Sequence, residues 1–172
     1  MGIFSRYSYE KSFENLSHEM EHLIENKDYE LAKAAAREML RIAETIYPKQ
    51  NLTLAKSQER LASLLTISGE YDEAMGFYDK ALRNYKDSYD EEDPFCLNCL
   101  FDMANNHIGN YKYEEAEKII KEIVEICERH YSKTNDIYLK YLLVLVQFHQ
   151  NRGNHLEAIN GYKKFLDIAE HN

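Results

Sequence analysis

Ser68-Gly69-Glu70-Tyr71-Asp72-Glu73-Ala74 reads as a helix–turn–helix joint, and it recurs with a step of 42 residues. One step on, the chain reads Asn110-Tyr111-Lys112-Tyr113-Glu114-Glu115-Ala116, and two steps on Arg152-Gly153-Asn154-His155-Leu156-Glu157-Ala158. One step back it reads Asn26-Lys27-Asp28-Tyr29-Glu30-Leu31-Ala32. Self-similarity at a fixed period is the signature of a solenoid, in which each unit buries its apolar face by stacking on its neighbours. Four such units account for nearly all of the 172 residues, which predicts a single domain over 1–172 with repeats at about 8–47, 51–89, 93–131 and 135–172.

Working outward from the joints, each unit reads as two helices. Residues 1–8 are a short lead-in. Phe13, Leu16, Met20, Leu23 and Ile24 keep helical spacing over about 8–26. Asp28 is expected to cap the next helix, whose buried stripe is Leu31, Ala32, Ala35, Met39, Ile42 and Ile46, and Pro48 ends it. Asn51 caps a helix over 52–68, and Gly69 suits the left-handed position that closes it. The later helices fall at 71–89, 94–109, 113–131, 136–152 and 154–171. Asp93-Pro94 supplies an N-cap and first-turn proline, and Asn135 or Asp136 opens the last pair. Tyr47, Tyr89 and Tyr131 close successive units, again 42 apart.

Composition narrows the function classes. The formal net charge of −9 lacks the basic footprint that phosphate binding needs, so neither nucleic acid nor an anionic membrane surface is expected as a partner. No apolar run approaches the roughly 20 residues of a membrane-spanning helix. Three cysteines without a secretory signal point to free thiols in a reducing, cytoplasmic setting. Two prolines and six glycines leave an all-α chain as the default.

The repeated positions resemble the tetratricopeptide repeat (TPR). In the second unit they are Leu61-Ala62, Leu65, Gly69, Tyr71, Ala74, Tyr78 and Ala81. The third gives Met103-Ala104, Tyr113, Ala116, Ile120 and Ile123, and the fourth Leu145-Val146, Gly153, Ala158, Tyr162 and Phe165. The ordinary unit is about 34 residues; the longer period and Asp93-Pro94 are similar to the repeats of kinesin light chains. This resemblance implies an α-solenoid, a right-handed superhelix of four antiparallel helix pairs, and a protein–protein interaction module rather than an enzyme.

The same resemblance implies that the first helix of each unit lines a concave groove for a peptide or partner helix. Its register falls on Lys56, Glu59, Ser63 and Thr66, then Asn98, Phe101, Asn105 and Ile108, then Lys140, Leu143, Gln147 and Gln150. Side-chain amides both donate to and accept from peptide backbone. The peptide-binding candidates are therefore Lys56, Asn98, Phe101, Asn105, Lys140 and Gln147. Glu59 and Phe101 stand where a carboxylate-gripping version of the groove carries Lys or Asn.

Other motifs read as structure. Cys96, Cys99, Met103 and His107 share a helical stripe, but at 1.5 Å per residue the ends lie roughly 16 Å apart, too far for one metal ion. His107 and His149 occupy the register of Leu23 and Leu65, a packing position. Asp90-Glu91-Glu92-Asp93 lacks the alternating ligands and glycine of a calcium loop and reads as acids beside a helix N-terminus. Neither a cofactor nor a catalytic set is expected. At the C-terminal end, Leu156 occupies the register held by Glu30, Asp72 and Glu114, Ile159 replaces Lys33 and Glu117 (Met75 intervenes), and with Leu166 they form an apolar stripe. That stripe is the expected oligomer interface, a homodimer contact through the last helix, and gives the alternative reading of a scaffold piece.

Overall fold

A computed structural model describes residues 3–47 and 51–170, without the side chains of 3–5 and 169, so Pro48 lies outside the described residues. Those residues form eight α-helices: α1 (Ile3–Glu25), α2 (Tyr29–Ile46), α3 (Leu52–Ile67), α4 (Tyr71–Lys86), α5 (Pro94–Gly109), α6 (Tyr113–His130), α7 (Asp136–Asn151) and α8 (His155–Glu170). They divide into two compact units, Met1–Asp90 and Glu91–Asn172, each holding two helix pairs. In the first unit α2 packs on both α1 and α3, and α3 on α4; in the second α6 packs on both α5 and α7, and α7 on α8.

The four joints are one backbone motif repeated. Lys27, Gly69, Tyr111 and Gly153 all have positive φ, between 60° and 80°. In each joint the next residue's N–H reaches back to a helix carbonyl: Asp28 to Leu23, Glu70 to Leu65, Lys112 to His107 and Asn154 to His149, at 2.8–2.9 Å. The positive-φ residue itself bonds Ile24, Thr66, Ile108 or Gln150. This is the Schellman closure, which satisfies carbonyls that a helix end leaves open. Only two of the four carry glycine; Lys27 and Tyr111 accept a conformation costing roughly 1–2 kcal/mol for a residue with a Cβ.

The inter-repeat loops share the period too. Asn51, Asp93 and Asn135 each accept a 2.8 Å bond from the backbone N–H two residues on. The expected cap by Asp28 is absent. Asp28 is the last residue of a Schellman closure, and its ψ of 62° is not the extended backbone that aims a capping side chain along the helix.

The alanine register holds in space: Ala32, Ala74 and Ala116 are wholly buried and Ala158 nearly so. Two expectations fail. The lead-in is helical from Ile3, adding most of two turns to α1. Leu31 is 60% exposed rather than buried, because its register mates are Glu73, Glu115 and Glu157, all on the outer face.

Packing within pairs trades volume across one contact. In the third repeat Ala104 of α5 and Ile119 of α6 belong to one apolar cluster. In the fourth the sizes invert: a Cβ on Gly161 of α8 would lie 2.3 Å from Val146 of α7. The same register reads Met20 with Ala35 and Ala62 with Phe77 in the first two repeats, so one large and one small residue fill each crossing.

Candidate functional site

Within the second unit, α5 and α7 lie on either side of a hollow of about 380 Å³. Its polar and aromatic lining is Phe101 and Asn105 of α5, Tyr113 of α6, and Gln147 and Asn151 of α7, with Arg152 just beyond. The spacing explains the meeting: 101, 105 and 108 share one face of α5, and 144, 147, 148 and 151 share one face of α7. The floor is apolar. Ile120 and Phe148 are buried in it, clustered with Ala104 and Ala116 behind, and Ile108, Tyr113 and Val144 pack against them.

The rim is polar and unspent. Asn105, Gln147 and Asn151 are exposed, and among the described residues their side-chain amides hydrogen-bond nothing within the protein. The Arg152 guanidinium lies over the Tyr113 ring at 3.8 Å and pairs with no carboxylate among the described residues. An apolar floor edged by free amides and one cation can take an apolar side chain while bonding the backbone that carries it.

The structure therefore brings Phe101, Asn105 and Gln147 together around one cavity. Asn98 and Lys140 sit elsewhere on the same two helices and are engaged with each other. The Asn98 carbonyl oxygen accepts from the Tyr141 hydroxyl at 2.9 Å and from Lys140 at 3.3 Å. Lys140 also lies 4.7 Å from the Tyr141 ring centroid, and Phe101 meets that ring edge-on at 6.0 Å. Burial raises the carboxyl of Asp102, next to Phe101, while the charge of Lys140 opposes the shift. Lys56 is exposed on α3, in the first unit. In that unit Glu59 accepts from Tyr85 at 2.6 Å. Sequence reasoning missed Tyr113, Ile120, Val144, Phe148, Asn151 and Arg152. Asn151 was within reach, one turn beyond Gln147 on the same face.

The remaining motifs are parts of the scaffold. Cys96, Cys99 and Cys127 are buried and in no disulfide, and burial pushes the Cys127 thiol up to about 11. Among the described residues no group of three or more His, Cys, Asp or Glu is placed to hold a metal ion. His149 is buried and packs edge-on against Phe148. The acidic loop ties down the end of α6. Glu91 meets Arg129 at 2.8 Å and His130 at 3.0 Å, and these bonds hold its carboxyl below the ordinary range. The Tyr131 hydroxyl donates to the Glu92 carbonyl at 2.6 Å. Among the described residues no helix is long and apolar enough to cross a membrane.

Residues 53–129, from the start of α3 to the end of α6, match the family model of the tetratricopeptide repeat. Over that stretch the chain carries tetratricopeptide repeats. Its fold is similar to solved TPR structures. Against Podosopora anserina TPR-like repeats, described as those of a kinesin light chain, the TM-score is 0.80 at 16% identity, covering 91% of this chain and 74% of that one. BtubC (BKLC) from P. vanneervenii matches with a TM-score of 0.71 at 20% identity, over 97% and 73% of the two chains. A Rap protein complexed with Competence and Sporulation Factor matches at 0.72 and 16% identity; this TPR chain covers 44% of it. No curated protein matches the sequence. At these identities the likeness establishes the shared fold, four TPR-like helix pairs.

Proposed function

We propose that this TPR protein is a peptide-binding interaction module whose ligand enters the hollow between α5 and α7. One observation carries the reading: the apolar floor is ringed by three amides that the fold leaves unused, with the Arg152 guanidinium stacked on Tyr113 at its edge. In a repeat scaffold most polar side chains on inner faces are consumed by neighbours, as Asn98 is by Tyr141 and Gln58 by Asn84. Unused amides over an apolar hollow suit an extended segment that offers one apolar side chain and its own backbone carbonyls and N–H groups. Arg152 adds a donor for a carbonyl or carboxylate oxygen at the edge. That a Rap protein of similar fold is complexed with Competence and Sporulation Factor is in keeping with this use of the fold.

Phe101, Asn105 and Gln147 are the residues assigned direct contact. Lys140 and Asn98 contribute only if a ligand displaces their mutual bond, and Lys56 remains a candidate of the first unit. Selection from a displayed library of random peptides tests the reading. The unaltered chain is expected to enrich a consensus with one invariant apolar position. Asn105→Trp, which covers the mouth from an exposed position, is expected to lose those peptides while melting as before. Enrichment of the same peptides by both proteins, or of none by the unaltered chain, contradicts it.

A further inference from the structure

We infer that α8 is a self-association surface, pairing antiparallel with α8 of a second copy about a two-fold axis level with residue 161, on the helix face opposite Gly161. The observation is independent of the cavity. Leu156, Ile159 and Leu166 are 69%, 50% and 55% exposed, and Tyr162 beside them is 39% exposed. These are large apolar groups on one helix, and a contiguous exposed patch of this kind marks an interaction site.

Register identifies what covers it. Leu156, Ile159, Lys163 and Leu166 follow the three-then-four spacing of a helix–helix seam. Under a two-fold, if residue i meets residue j of the other copy, then j meets i. An antiparallel pairing centred on Gly161 sets Leu156 opposite Leu166 of the other copy, and Ile159 opposite Lys163. Both pairs are counted in from the centre by equal steps, so each forms twice. The leucine layers bury each other, while the methylene stem of Lys163 covers Ile159 and leaves its ammonium in water. The seam is thus complementary to itself.

Head-to-tail stacking of copies is disfavoured by α1. Apart from Tyr7, its exposed side carries Lys11, Ser12, Asn15, Glu19 and His22, which would strand the α8 leucines against mostly polar groups. The other faces of α8 are already in use: Ala158 and Gly161 pack toward α7, and Lys164 bonds Glu128 of α6.

One helix pair lies at the small end of specific interfaces, so association belongs in the high micromolar range. Sedimentation equilibrium of the full chain over rising concentration is the test. The expected result is a monomer–dimer equilibrium that Leu156→Lys and Leu166→Glu each abolish without altering the melting temperature. Both changes on one chain would place the new cation opposite the new anion in both outer layers, so the double variant is expected to dimerise again. A monomer at every concentration overturns the inference and leaves the face to a different protein or a following segment. A dimer indifferent to the single changes, or singles that the double change fails to rescue, overturns it equally.

Discussion

The second helices of the third and fourth repeats, α6 and α8, hold the same register and meet different fates. In α6, Ala116, Ile120, Ile123, Val124, Ile126 and Cys127 are all buried, because α5 covers one side and α7 the other. In α8 the counterparts of Ile120 and Val124 are Tyr162 and Leu166, and both are exposed. The helices have similar apolar spacing; what differs is the neighbour. A repeat position is therefore only a capacity for burial, and whether it stabilises depends on the next helix in the stack.

The largest expected effect sets those counterparts against each other. Ile120→Ala opens a cavity in a closed cluster and is expected to cost about 2–5 kcal/mol in chemical denaturation. Tyr162→Ala, at a site already open to water, is expected to cost less than about half of that. Equal losses would mean that α8 is as covered as α6.

Next comes the volume exchange at the helix crossing. Gly161→Ile forces a side chain into Val146 and is expected to destabilise by about 1–3 kcal/mol. Adding Val146→Ala recreates the Ala104–Ile119 arrangement of the third repeat and should recover most of that loss. A double-mutant cycle with no coupling would break the equivalence of the two repeats.

The joints supply a smaller contrast. Tyr111 holds at φ 60° the conformation that Gly153 holds at 75°. Tyr111→Gly is expected to raise stability by up to about 1 kcal/mol, while Gly153→Ala lowers it by roughly 1–2 kcal/mol. Thermal melts of the two variants, moving in opposite directions, check the shared geometry.

The smallest effect lies in the one described ion pair between α6 and α8. The hydrogen bond from Lys164 holds the Glu128 carboxyl below its ordinary value, and the Tyr138 hydroxyl donates to the same oxygen at 3.1 Å. The folded state therefore favours the ionised form. Its contribution is complete above the ordinary glutamate value of about 4.3 and is lost as pH falls through the depressed one. Because both groups are well exposed, that contribution is no more than about 0.5–1 kcal/mol. Unfolding of Lys164→Ala and the unaltered chain should thus differ slightly at neutral pH and converge in acid.

Nearly all of the fold was legible because the 42-residue step transposes every structural decision at once: the buried alanines, the left-handed joint and the Asn/Asp caps. Reading Leu31 as apolar and hence inward failed where its register mates, all glutamates, pointed outward. Asp28 failed as a cap because one residue cannot both finish a Schellman closure and extend to cap the next helix. Of the candidate site, the amides at 105 and 147 were legible from register. The hollow was not, since its lining is assembled from three different helices, α5, α6 and α7. Nor could sequence tell that Asn98 is consumed by a tyrosine 43 residues away.

On the proposed function, the unused amides over the α5–α7 hollow bind a ligand, while the open face of α8 serves a different purpose. The direct test is the dissociation constant of a selected peptide, measured by titration calorimetry against three proteins. Removing two amide contacts with Asn105→Ala and Gln147→Ala together is expected to weaken binding roughly tenfold, at about 0.5–1.5 kcal/mol per bond. Leu166→Glu is expected to bind as the unaltered chain does. Undiminished binding by the amide double variant, or binding lost on Leu166→Glu, would contradict the account.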